Sequence, residues 1–74
     1  MKYFLADYKT FNGEHEYSEF GVLAAHTWEK AEKQAIKGKK LFVRFDWEEF
    51  CILNQLREIP IADYEVLKKY FAEI

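Results

Sequence analysis

Asn12-Gly13 stands between two runs rich in aromatic and aliphatic residues, Lys2 to Phe11 and Glu14 to Ala25, and no other feature narrows the fold of this chain as far. A two-residue type I′ turn needs positive φ at both central positions, and asparagine and glycine reach that region at least cost. The pair therefore predicts a β-hairpin in which Phe11 faces Glu14, Lys9 faces Glu16, Tyr8 faces Tyr17, Leu5 faces Phe20 and Tyr3 faces Val22. Gly21 marks a candidate bulge near Phe20. Alternation then puts Tyr3, Leu5, Phe20 and Val22 on one face and Phe4, Ala6, Tyr8, Tyr17 and Leu23 on the other. Both faces are apolar at the open end. A lone hairpin of this kind is marginal in water, so the rest of the chain, or a partner, must cover it.

After the hairpin, Thr27 is a candidate N-cap with Glu29 in the first turn, and Trp28, Ala31 and Ala35 recur at helical spacing. The helix is predicted over 28–37, with Gly38 just beyond its end and Lys30, Lys33 and Lys37 on its outer face. Leu41, Val43, Phe45 and Trp47 alternate with Phe42, Arg44 and Asp46, which predicts a strand over 41–47. Residues 50–59 are readable two ways. Asp46 and Glu49 form a capping box for a helix, whereas Phe50, Ile52 and Leu56 suit one face of a strand; the need of the hairpin for further strands favours the second reading. Pro60 ends that segment, and Asp63 caps a final helix over 64–74 with Leu67, Tyr70, Phe71 and Ile74 as its apolar stripe.

At 74 residues the chain makes one domain, 1–74, near the size at which a single core barely outweighs chain entropy. Hydrophobic residues make up 50% of it and aromatic ones 19%, which argues against disorder. Cys51 is the single cysteine, so no internal disulfide framework exists and a reducing compartment is expected. The apolar run Tyr3 to Ala6 is too short for a membrane span or a signal-peptide core, so the expected location is the cytoplasm, away from membranes.

Catalytic chemistry finds little support. Glu14-His15-Glu16 alternate across a strand, so the three cannot hold one metal ion, and the same alternation parts His15 from Ser18. Cys51 and His26 would form a thiol–imidazole pair only if folding brought them together, and a cysteine among Phe50, Ile52 and Leu53 reads more simply as packing. Asp46, Glu48 and Glu49 read as a solvated turn rather than as paired carboxylates, and the three glycines stand apart from any phosphate loop. No enzyme, metal or cofactor is expected. Lys30, Lys33, Lys37, Lys39, Lys40 and Arg44 form a basic set along one helix and into the next segment, near Phe42 and Trp47, as a nucleic-acid groove would require. Glu29 and Glu32 interrupt it, and the net charge of −2 argues against it.

The opening Lys2-Tyr3-Phe4-Leu5, the Phe11-Asn12-Gly13-Glu14 turn, the Trp28-Glu29-Lys30-Ala31-Glu32 helix start and the closing 63–70 segment together resemble small proteins of phages and prophages. The hairpin-helix-strand plan is similar to that of some small anti-CRISPR proteins. That resemblance implies a protein that acts by binding a larger host protein or complex, and it favours a strand over 50–59. It implies no site residues. The expected fold is α+β: an antiparallel sheet begun by the N-terminal hairpin, with both helices packed on one face. The expected function is a protein-binding module, a phage-encoded inhibitor of a host enzyme or defence complex, with Tyr3, Phe11, Tyr17, Phe42 and Trp47 as aromatic anchors. A homodimer is one arrangement of such a module; nucleic-acid binding through the lysines is the alternative function.

Overall fold

The computed structural model describes residues 1–41 and 49–74. Strands β1 (Lys2–Asn12) and β2 (His15–Ala25) form the hairpin, followed by helix α1 (Trp28–Gly38) and a 3-10 turn (Lys39–Leu41). Strand β3 (Glu49–Ile59), helix α2 (Ile61–Leu67) and the short strand β4 (Ala72–Glu73) complete the chain. The α+β class and the central hairpin hold. In the four-stranded sheet the order is β3-β1-β2-β4.

The turn differs from expectation. Asn12 pairs with His15, so the two loop residues are Gly13 and Glu14, and Gly13 alone among the described residues has positive φ, at 61°. Glycine first and an ordinary φ second match a type II′ turn, which a glycine at that position permits without help from asparagine. The register moves accordingly: Leu5 faces Val22, Asp7 faces Phe20 and Lys9 faces Ser18. A shift of two residues leaves every side chain on its expected face, because the strand repeat is also two. Lys9 still reaches Glu16, diagonally, at 3.4 Å.

Residues 49–59 are a strand, antiparallel to β1. The bulge lies here rather than at Gly21, between Asp7 and Tyr8 on β1, with Asn54 as the extra residue of β3; the ladder between β1 and β2 runs unbroken. Asn54 Nδ2 donates to Asp7 Oδ2 at 3.3 Å, which fixes the bulge. The expected strand over 41–47 falls outside the described residues except Leu41, which ends the 3-10 turn.

The sheet is antiparallel through β3, β1 and β2, and parallel where β4 joins β2. Nor do the helices share a face. Trp28 of α1 meets Phe4 edge-on at 4.9 Å, whereas Tyr64 of α2 lies on Tyr3 at 4.7 Å, and Tyr3 and Phe4 point to opposite sides of β1. With both hairpin faces apolar, one helix on each hides more surface than two on one. The larger core is on the α1 side, where Phe4, Ala6, Tyr8, Leu23 and Ala25 pack against Ala31, Ala35 and Cys51. Thr27 caps α1 as expected, its Oγ1 accepting from the Lys30 amide at 3.1 Å.

The final helix is shorter and earlier than its stripe implies. Pro60, extended at φ −64°, begins α2 directly, and no side chain of Asp63 caps it. The chain leaves the helix after Leu67, and the Phe71 ring then packs tilted against Phe20 at 5.3 Å while Ile74 N donates to Val22 O at 2.8 Å. Ile74 drops into the main core over Gly21 and Gly38. A Cβ at either glycine would lie 2.4 Å from an Ile74 carbon. The two glycines thus make room for Ile74; neither serves a bulge or a left-handed cap.

A candidate interaction surface

α2 covers only the open end of the second sheet face. Toward the turn that face carries Phe11 and Lys9 on β1 opposite Phe50 and Ile52 on β3. Phe11 and Phe50 stack at 4.9 Å and 19°, yet Phe50 stays 56% exposed and Ile52 45%. The result is an apolar strip beside an ion pair, Lys9 with Glu16. Between the strip and α2 lies a small hollow of about 100 Å³ lined by Leu5, Asp7, Phe20, Gln55 and Arg57. A wider hollow, of about 250 Å³, opens on the α1 side between Trp28, Glu32, Leu53, Asn54, Gln55 and Leu56.

The expected anchors scatter. Tyr3 is half-buried beneath Tyr64, and Phe11 is half-buried against Phe50, so each is in part a packing residue. Tyr17 is exposed near the turn, its ring 6.2 Å from that of His15, on the face opposite Phe11. Phe42, Trp47 and Arg44 lie outside the described residues. Nothing in the sequence marks Phe50, Ile52 and Trp28 as surface residues, although the alternation of Phe50 and Ile52 with Cys51 and Leu53 shows that one pair must face away from the main core. Lys30, Lys33, Lys37 and Lys40 are exposed and Lys39 is half-buried. Lys33 pairs with Glu29 at 3.5 Å, with both side chains largely in solvent, a geometry worth little.

Cys51 does not meet His26. Cys51 lies opposite Thr10 near the turn, whereas His26 follows Ala25 at the far end of the hairpin, opposite Lys2. Eight strand positions, about 27 Å, separate those ends. Burial pushes the Cys51 thiol up despite the Thr10 hydroxyl and the Lys39 charge, so the group favours the unreactive protonated form. Tyr8, also buried, is pushed up to about 12, chiefly by burial and secondarily by Cys51, and its hydroxyl donates to Ala35 O. Burial and the neighbouring Glu73, which accepts from its hydroxyl at 3.1 Å, raise Tyr64 as well. Lys68 is raised by its contact with Glu65 at 2.8 Å. These groups hold the fold together at dispersed points rather than converging on one hollow.

No helix among the described residues is long and apolar enough to cross a membrane. Comparison of the chain with protein-family models, with curated proteins and with solved structures finds no match.

Proposed function

We propose that this chain is a non-catalytic protein-binding module that acts in the cytoplasm on a larger protein or complex. The observation that supports the reading is the strip of Phe11, Phe50 and Ile52, in which two large apolar side chains stay about half exposed beside the Lys9–Glu16 ion pair. Exposed aromatic groups beside charged ones are the usual anchors of protein interfaces. Inhibition of a host enzyme or defence complex by a phage protein is the finer form of this reading, and it rests on the resemblance in sequence pattern. Nucleic-acid binding is the second reading, supported by the exposure of Lys30, Lys33 and Lys37 on α1 and of Lys40 in the 3-10 turn that follows it.

The test is an affinity pull-down from bacterial lysate with the wild-type chain and with a Phe50→Ser, Ile52→Ser double variant, each with and without nuclease. A discrete protein kept after nuclease treatment and lost by the double variant supports the module. Material lost on nuclease treatment, and retained by the double variant but not by a Lys30→Glu, Lys37→Glu variant, transfers support to nucleic-acid binding.

A further inference from the structure

Helix α2 turns an ordered set of side chains away from the sheet. Tyr64, buried on Tyr3, and Phe71, on Phe20, mark its inner side. The coil winds on past Leu67, because the amides of Lys68, Lys69 and Tyr70 donate to Tyr64 O, Val66 O and Leu67 O. Ala62, Val66 and Tyr70 thus follow one another at four-residue steps, and all three are exposed, Val66 at 54% and Tyr70 at 77%. Asp63 and Lys69, also exposed, form no ion pair with any described residue, whereas Glu65 and Lys68 pair with each other at 2.8 Å. The order is self-complementary about Val66: Asp63 and Lys69 stand three residues to either side, Ala62 and Tyr70 four. The segment between Leu41 and Glu49 is too short to reach this face. No residue of it stands more than about 14 Å from one of its ends, and those ends lie by the turn, Glu49 opposite Asn12 and the 3-10 turn beside Cys51. Tyr3 beneath Tyr64 and Asp7 opposite Phe20 are nine and five positions from Asn12, about 30 and about 17 Å.

We propose that α2 is the seat of a homodimer, in which a second copy packs its own α2 antiparallel across a two-fold axis at Val66. Val66 then meets its counterpart, Tyr70 of each copy lies over Ala62 of the other, and Lys69 of each stands level with Asp63 of the other. A small residue under a large ring fills the contact without a clash. The charges fix the direction, since parallel packing in register would set Asp63 against Asp63 and Lys69 against Lys69. An isologous contact requires residues mirrored in this way about one position, whereas an unrelated partner imposes no such symmetry. Exposed ion pairs contribute little affinity, so Val66 and Tyr70 supply it and the charges supply register. Two short helices bury less than about 1,200 Å², at the weak end of specific contacts. The strip of Phe11, Phe50 and Ile52 lies toward the turn, outside this contact, so the dimer goes beyond the protein-binding reading and does not depend on it.

The experiment measures self-association of the full chain by sedimentation equilibrium and by NMR of the ¹⁵N-labelled protein, from about 20 µM to about 1 mM. A mass that rises toward twice that of the chain, with concentration-dependent shifts at the Ala62, Val66 and Tyr70 amides, supports the dimer. Val66→Lys then abolishes it, and Asp63→Lys and Lys69→Glu each weaken it at least about tenfold. The double variant Asp63→Lys, Lys69→Glu, and an equimolar mixture of the two single variants, restore it to within about threefold of wild type, and dispersed spectra show every variant folded. A single-chain mass at every concentration, a dimer whose shifts fall on other surfaces, or a double variant as weak as the single ones overturns it. The pull-down with Phe50→Ser, Ile52→Ser reports on the strip alone, so the dimer and the protein-binding reading fail separately.

Discussion

Replacing Gly38 by alanine isolates the socket that seats the last residue of the chain. The new Cβ would stand 2.4 Å from Ile74 Cγ2 and 3.3 Å from the Tyr8 hydroxyl, so Ile74 must leave its seat. Removing a fully buried isoleucine side chain costs about 2–5 kcal/mol. Ile74 is half-buried, which puts its displacement near the bottom of that range, about 2 kcal/mol. Against this stands the gain from alanine over glycine in a helix, at most about 1 kcal/mol. The φ of Gly38 is negative, so no backbone strain enters. The net expectation is a loss of about 1 kcal/mol; for 74 residues, at about 2.1 cal/mol/K each, this lowers Tm by about 6 °C. In an Ile74→Ala background the obstacle is absent, and the same substitution becomes neutral or stabilising by up to about 1 kcal/mol. Urea and thermal melts of the four proteins, followed by circular dichroism, should thus give a coupling of about 2 kcal/mol. Additivity within about 0.5 kcal/mol would refute the socket. Gly21→Ala serves as the milder comparison, since its Cβ meets chiefly the tip of the Ile74 side chain, which can turn aside.

Alkaline pH should expose the buried tyrosine. Tyr8 titrates near 10 when unfolded and near 12 in the fold, so between those values the native state binds the extra proton. Its contribution is fully present below pH 10 and is lost as pH rises to about 12, at about 1.4 kcal/mol per pH unit. Urea unfolding from pH 9 to 12 should show that slope, and Tyr8→Phe should remove most of it, with Tyr64 leaving a residue of the same sign. A Tyr8→Phe slope identical to wild type would contradict the burial argument. At the other end of α1, Thr27→Ala removes the acceptor of the Lys30 amide and should cost about 1 kcal/mol, read by chemical denaturation, while Thr27→Ser should cost less than half of that.

Much of the fold is legible in local pattern. The faces of the hairpin, the N-cap at Thr27 and the small alanines on the inner side of α1 follow from spacing, because each is decided by neighbours in the chain, whereas the spacing of Phe50 to Ile59 fits helix and strand alike and only the hairpin's need for a further strand favours the strand that forms. Interaction sites are harder to read: Phe50 and Ile52 look like ordinary strand hydrophobics, and their exposure depends on where α2 stops short. Trp28 has helical core spacing, yet it stays 46% exposed, with one edge on Phe4 and the remainder lining the hollow beside Leu53 to Leu56.

In the hairpin, alternation by itself determined which side chains share a face, and a turn shifted by one position could not alter that, since the register moved by two; in β3 it did not, because the bulge at Asn54 turns Leu56 to the face opposite Phe50 and Ile52, with which alternation had grouped it. Only the tertiary structure decided which helix covers which face, where the bulge falls and what the last residues do. The apolar stripe at 67–74 is compatible with a helix, but Gly21 and Gly38, seventeen residues apart in sequence, together offer Ile74 a seat that no helix continuing from Leu67 could reach. Burial in that seat is a contact between distant segments, and local periodicity carries no record of it.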